Sequence, residues 1–473
     1  MDRFIFIAVT ILVLAFPVFF GGNVNWAWDS FALLASLLLV LWGAGFFINK
    51  SAGIKFRQKL QAPFLLFTLV LLWVAIQGLV PLPEGWANPM WGEAEATLGV
   101  TLPHVISIEP GRTLTGLVRL ISYGTIFFLV LQTTRRPEQV VGALKAFAAA
   151  AALYAGYGLY IQLTGAATIL GYDKFYYPDS LTSTFINRNS YATYAGFGLL
   201  AITTLGLQGW VTITARAPAG HSHGRWVLLG EYLSRHWWLM LAWAIVLTAL
   251  LMTGSRAGMV TTLAALIALL VIYTGQRRHS VRKGLLAVAG LFAVLAGVVL
   301  FSGKLVLARL LALFCGDSNE AMRASLYDQG MQIIRDYPLT GTGYDTYPFA
   351  FYLYRGMEVE FGLRSVHAHN TYLENAIELG IPAAVILALV FVMLFWVCAR
   401  GIHRRRRYFM LPVLGLVITM QIALHSLVDF SMEMPGVAAT YAFLMALAVS
   451  QCWPKPRTGP GPRSSKKVAA SKV

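Results

Sequence analysis

Three separated polar patches interrupt an otherwise apolar chain, and each holds residue types able to handle a charged substrate. The first is Phe185-Ile186-Asn187-Arg188-Asn189-Ser190-Tyr191. It stands where an apolar stretch begins, and a helix N-terminus attracts anions through its free amides and its dipole. Capping by Asn189 or Ser190 would account for the Asn and Ser. It leaves Arg188 unexplained, because a cation opposes the dipole at that end. The second patch is Thr253-Gly254-Ser255-Arg256-Ala257-Gly258, set between two apolar stretches with almost no loop. A charge in a membrane segment costs roughly 3 kcal/mol on insertion scales. The small neighbours of Arg256 would let a ligand or another backbone come close; a snorkelling arginine at a helix end is the alternative. The third patch is His367-Ala368-His369-Asn370-Thr371-Tyr372-Leu373-Glu374-Asn375, running on to Gly380. Imidazole titrates near pH 6.5 and suits a general base. A zinc site would need Glu374, or Glu358 and Glu360, as further ligands, and the chain has no His-Glu-x-x-His. Two interfacial histidines bonded to their own loop remain an alternative.

Further polar residues accompany these patches. Arg323, Arg335 and Arg364 could bind phosphate, or pair with Asp328, Asp336 or Glu360 as ordinary surface ion pairs. His425 and Asp429 stand four residues apart, so on a helix they face each other. They form either a structural pair or a support for a catalytic group.

The elements that position these groups follow from composition. Of 473 residues, 57% are hydrophobic and only 12% charged, with a mean hydropathy of +0.64. A soluble protein carries about 25% charged residues, so an ordinary soluble enzyme and a disordered scaffold are both excluded. A membrane-crossing helix needs about 20 apolar residues. Twelve stretches qualify, near 4–20, 30–48, 62–80, 114–131, 139–161, 190–209, 237–253, 257–274, 284–301, 378–398, 409–428 and 436–452. They are apolar all round and lack the alternation of a membrane barrel. The fold class expected is an all-α integral membrane protein. Membrane helices would fill 1–301 and 378–453, a large loop would carry short helices over 302–377, and a basic disordered tail would occupy 454–473. The charged start and first apolar run are read as a retained helix rather than a cleaved signal. Within the loop, 317–336 reads as one helix, with Asp317 and Glu320 as a capping pair and Pro338 as its stop.

Charge sets the orientation. With the N-terminus in the cytoplasm, 25 of the 37 lysines and arginines fall on the cytoplasmic side and 10 on the other. The net charge of +16 is then topological. It implies contact with an anionic inner leaflet and not with nucleic acid. Arg188, Arg256 and His369 all fall on the outer face. Three cysteines give no disulfide framework.

In order and topology, these patches resemble the O-antigen ligase and polymerase superfamily of bacterial polytopic glycosyltransferases. The resemblance rests on Asn187 to Thr193, Gly254 to Gly258, Asp336-Tyr337-Pro338-Leu339-Thr340-Gly341-Thr342-Gly343, His367 to Glu374, and His425-Ser426-Leu427-Val428-Asp429-Phe430. It covers roughly residues 110–450, and His369 begins a His-x10-Gly pattern ending at Gly380. The resemblance implies an inner-membrane enzyme with its active site on the periplasmic side. The donor would be a glycan on undecaprenyl diphosphate; the acceptor would be lipid A–core or a growing polysaccharide. His369 would be the general base. Arg188 and Arg256 would hold the diphosphate, with neither metal nor cofactor. Asn189, Asn370, Tyr372, Arg323, His425 and Asp429 would be supporting substrate-binding residues. The ligase-like pattern puts ligase first and repeat-unit polymerase second. A transporter or flippase of lipid-linked sugars is the more distant alternative; it gives His369 no task.

Overall fold

The computed structural model describes residues 1–48, 58–83, 85–134, 136–215, 224–276, 289–290, 320–355, 367–405 and 407–453. Fifteen α-helices lie among them. Before the large loop these are α1 (Asp2–Ala15), α2 (Asn25–Ile48), α3 (Gln61–Leu79), α4 (Met90–Leu98), α5 (Pro110–Thr133), α6 (Pro137–Thr164), α7 (Arg188–Thr214), α8 (Gly224–Met252) and α9 (Arg256–Gln276). After it come α10 (Glu320–Asp336), α11 (Tyr347–Tyr354), α12 (Thr371–Leu379), α13 (Ile381–Arg404), α14 (Met410–His425) and α15 (Pro435–Ser450). A two-residue hairpin, Thr168–Ile169 with Tyr172–Asp173, sits between α6 and α7.

The protein is an all-α membrane protein. Eight of the described helices are long and apolar enough to cross a bilayer: α2, α3, α5 to α9 and α13. Hydrocarbon offers no hydrogen bonds, so such segments must satisfy their own backbone as helices. Leu33, Leu37, Val40, Leu72 and Trp396 are exposed, as side chains facing lipid would be. Proline in the first turn of α5, α6, α13 and α15 supplies a preset φ where no amide partner is needed.

Three apolar helices are shorter than the sequence suggests. The first ends at Ala15, because Pro17 breaks the ladder and the chain continues in two 3-10 turns. α14 and α15 each have 16 residues. They are also among the most buried: α15, α14 and α7 form the centre of the main core, and α5, α6, α8, α9 and α13 pack around them. The ninth expected stretch, 284–301, lies almost wholly outside the described residues, as do Cys315 and the tail after Trp453. So does Asp317; its predicted helix is seen as α10.

A small cap sits at one end of the bundle. Leu326 and Ile333 of α10, Tyr347 and Phe351 of α11, Ile377 of α12 and Ala368 share one apolar cluster. The segment from Pro338 to Gly343 crosses the end of α12. Thr342 N donates to Ile377 O (2.9 Å), Gly343 N to Glu378 O (3.0 Å) and Ile381 N to Pro338 O (2.9 Å). Gly341 and Gly380 both have positive φ, and a Cβ on either would strike the opposing backbone. The Gly380 of the His-x10-Gly pattern is therefore a crossing point that anchors α12 and, through it, the histidine loop.

Candidate active site

The two arginine patches meet because α7 and α9 run parallel. Gly258 of α9 lies against Ala192 of α7, where a Cβ would collide with the Ala192 methyl. One turn further on, Gln421 of α14 donates from Nε2 to Thr193 O (3.3 Å) and to Thr262 Oγ1 (3.0 Å). The two helix N-termini, opened by Arg188 and Arg256, therefore lie side by side. Asn187 caps α7, accepting from the amides of Asn189 (2.7 Å) and Ser190 (3.3 Å). The cap is thus Asn187, two or three residues earlier than the Asn189 or Ser190 reading, because its extended backbone aims Oδ1 at both amides. Ser255 does the same for α9, with Gly258 N donating to its Oγ (3.2 Å).

Arg188 is held loosely for a charged group. Its Nη1 lies 3.4 Å from Ser180 Oγ, and its guanidinium sits 5.2 Å from the Tyr177 ring centre. Its buried Nε has no hydrogen-bond partner. No carboxylate pairs with it among the described residues, and it stands beside two helix N-termini.

His369 precedes α12. It adopts a left-handed backbone, φ +53°, an uncommon conformation for a residue with a Cβ. Its neighbours hold it there. Asn370 caps α12 by accepting from Tyr372 N (3.0 Å) and Leu373 N (3.1 Å). Thr371 N donates to Ser426 O (3.0 Å), and its hydroxyl to Asp429 O (3.1 Å). Tyr327 of α10 donates to the His369 carbonyl (3.2 Å). Glu374 clamps the loop from the other side, reaching His367 Nδ1 (2.7 Å) and Ala368 N (2.8 Å). His367 stacks on Phe430 at 4.3 Å, and His369 meets the same ring edge-on at 4.8 Å.

Asp429 joins the histidine to the arginine side. Its Oδ1 lies 3.5 Å from His369 Nδ1 and accepts from Asn189 Nδ2 at 3.3 Å. Its Oδ2 accepts from Ser431 Oγ (2.8 Å) and lies 3.8 Å from His425 Nδ1. The His369 contact is an ion-pair distance without hydrogen-bond alignment, since Nδ1 has no partner of good geometry. Asp429 is fully buried. Burial alone would raise its pKa. The His369 contact, the charges of His425 and His369 and the Ser431 hydroxyl outweigh it and hold the carboxyl below its ordinary value. It stands as an anion between Asn189, next to Arg188, and His369.

Other sequence candidates separate here. His425 is buried and hydrogen-bonds to Thr193 and Ser431, both at 3.2 Å. Tyr372 donates to Ala423 O (2.9 Å), tying α12 to α14. The side chains of Arg323 and Arg364 lie outside the described residues; Arg335 lies in the last turn of α10. Sequence reasoning missed a second polar group. Asp345 Oδ2 pairs with Arg112 and Arg119, both at 3.2 Å, and the carboxyls of buried Glu378 and half-buried Glu433 lie close by. The only signal was a handful of charges at the ends of apolar runs.

Comparison with known proteins bears on this geometry. A family model described as O-Antigen ligase matches residues 241–388. The match takes in Arg256 and His369 and excludes Arg188 and Asp429. The chain resembles the O-antigen ligase superfamily. It is also 29% identical over 258 residues to the exopolysaccharide production protein ExoQ of Rhizobium meliloti (strain 1021). That alignment covers 50% of this chain and 52% of the relative, so the chain spans about half the length of the curated relative it matches.

Proposed function

We propose that this protein is a membrane glycosyltransferase. It moves a glycan from a lipid diphosphate, in the inner membrane and on the periplasmic side, to a sugar hydroxyl. The observation that carries the reading is the Asp429 carboxyl, which lies against His369 and accepts from Asn189 beside Arg188, with the N-terminus of α9 that Arg256 opens packed alongside. With Nδ1 turned to Asp429, the other ring nitrogen, Nε2, is free to take a proton. The acceptor oxygen attacks the anomeric carbon, and its proton passes to Nε2. The bond from that carbon to the diphosphate oxygen breaks, and the electron pair leaves with the diphosphate. Arg188 and Arg256 stabilise that charge, since guanidinium forks match phosphate oxygens. The helix N-termini add to it. Asp429 stabilises the imidazolium. One displacement inverts the anomeric carbon. Two cations and two helix ends supply the charge that a metal supplies elsewhere, and the donor is undecaprenyl diphosphate-linked.

Within this class the ligase reaction, transfer of finished polymer to lipid A–core, stands first because of the His-x10-Gly pattern from His369 to Gly380. Chain extension is a second reading, favoured by the similarity to an exopolysaccharide production protein. Deletion of the gene separates them. Loss of polymer from lipopolysaccharide, with accumulation of full-length lipid-linked polymer, is expected for a ligase. Accumulation of single lipid-linked repeat units would instead identify a polymerase. Neither accumulating would sink both.

A further inference from the structure

A cavity of about 790 Å³ lies between α3, α5, α13, α14 and α15. It is apolar for most of its length. From the level of Ile381 to that of Trp396 it follows α13 for 15 residues, about 22 Å at the helical rise. That is most of a hydrocarbon core of about 30 Å.

One end is polar. There Thr371, Ser426, Tyr123, Tyr344 and Glu433 line the wall. Thr371 and Ser426 also hold the His369 loop through the Thr371 N to Ser426 O bond (3.0 Å). The cavity head and the candidate base therefore share a wall. The arginines stand on the other side of α14. That helix packs on α7 and α9 with Gln421 and His425, and turns Met420, Ala423 and Leu424 into the cavity.

Glu433 is the anomaly. The neighbouring carboxyls all have partners. Glu374 takes His367 and the Ala368 amide, Glu378 takes the Tyr347 amide (2.9 Å), and Asp345 takes Arg112 and Arg119. The Glu433 carboxyl has no hydrogen bond or ion pair among the described residues. Burial pushes its carboxyl well above the usual range, and the charges of Glu374 and Asp345 add to this. A protonated carboxyl both donates and accepts. Left unmatched in an apolar site, such a group is costly. The two arginines nearby, Arg112 and Arg119, are already paired with Asp345, which leaves them poorly placed to meet an anionic headgroup; uncharged hydroxyls need no such partner.

We infer that this cavity binds the second substrate of the transfer: a lipid-borne glycan whose chain fills the trough and whose uncharged sugar hydroxyls meet Glu433. The diphosphate donor belongs on the arginine side, and His369 lies between the two. The ligand's role as second substrate rests on the proposed reaction; its binding in the cavity does not.

The test uses full-length protein in nanodiscs free of glycoside detergent, with two photoreactive probes. Dodecyl glucoside and dodecyl phosphate each carry a diazirine in the alkyl chain, and cross-linked peptides are mapped. The glucoside should label α13 and α14 at least fivefold more than the phosphate. Glu433→Ala should remove most of that preference, Glu433→Gln should keep it within about twofold, and Ala388→Trp, which fills the trough, should abolish labelling by both probes. Equal labelling by both probes, unmoved by Glu433→Ala, would mean ordinary bilayer lipid and overturn the inference. A preference for the phosphate would assign the cavity to the donor and overturn it too, as would labelling that persists in Ala388→Trp. If Glu433→Ala does not fold, Glu433→Gln and Ala388→Trp carry the test. No readout depends on transfer activity, so the inference fails or stands apart from the reaction.

Discussion

Replacing Asp429 with Asn removes one negative charge while keeping shape and most hydrogen-bonding capacity. In the proposed reaction His369 becomes a cation as the acceptor loses its proton, 3.5 Å from Asp429 Oδ1. At an effective dielectric near 20, that pair is worth about 5 kcal/mol. Asparagine returns part of it through its amide dipole, leaving about 3 kcal/mol. At about 1.4 kcal/mol per decade, Asp429→Asn should lower kcat about 10²-fold. Donor binding should change little, because Arg188 and Arg256 are untouched. The assay is transfer from a lipid-linked glycan in proteoliposomes, with donor binding and thermal melting measured on the same preparation. A pH series adds an independent check. The native Asp429 carboxyl lies below its ordinary value of about 3.9. Its stabilising contribution is therefore complete above about pH 4 and is lost as the pH falls through the lower native value. Wild-type melting should then drop more steeply than that of Asp429→Asn below about pH 4. A folded Asp429→Asn protein with more than a third of wild-type kcat would refute the supporting role of Asp429. An acid melting profile parallel to wild type would refute the native ion pair.

His369→Ala should abolish transfer, by a factor of about 10² to 10⁴, yet keep donor binding. His367→Ala should keep kcat within about tenfold but melt earlier, since Glu374 loses a 2.7 Å partner worth about 1–3 kcal/mol; kinetics and melting of both variants decide between the two histidines. Arg188→Ala and Arg256→Ala should each weaken donor binding as well as turnover, and Arg→Lys should rescue only part, because a point charge lacks the fork; normal donor binding in both Ala variants would exclude the clamp. Transfer by purified protein should survive EDTA; loss with rescue by a divalent ion would return His367 and His369 to a metal role.

What could be read in the sequence and what could not follow from the same physics. Apolar length marks a membrane helix without any tertiary information, so most spans were visible in the chain. The exceptions were short for local reasons: Pro17 stops α1, while α14 and α15 lie in the protein core, where bilayer thickness does not set their length. Arg188, Arg256 and His369 stood out because charge is rare in such a chain. Their proximity did not, because it depends on packing between distant helices. Gly258 against Ala192, and Gln421 bridging two helices, bring the two arginine-bearing helix N-termini side by side. Asp429 was visible as a partner for His425 four residues before it. Its shorter contact is with His369, 60 positions away, and spacing along one helix says nothing of that pair. Glu433 was the least legible of all. A glutamate in a short connection reads as a solvated surface charge, and only the folded chain shows it facing an apolar trough without a partner. An unpaired carboxyl beside lipid is costly enough to need a cause. The most economical cause is a hydroxyl-bearing ligand that arrives through the bilayer and supplies the missing hydrogen bonds. The two halves of the site then divide by charge. Cations and helix N-termini face the group that departs as an anion, and carboxyls face the group that arrives as a neutral alcohol.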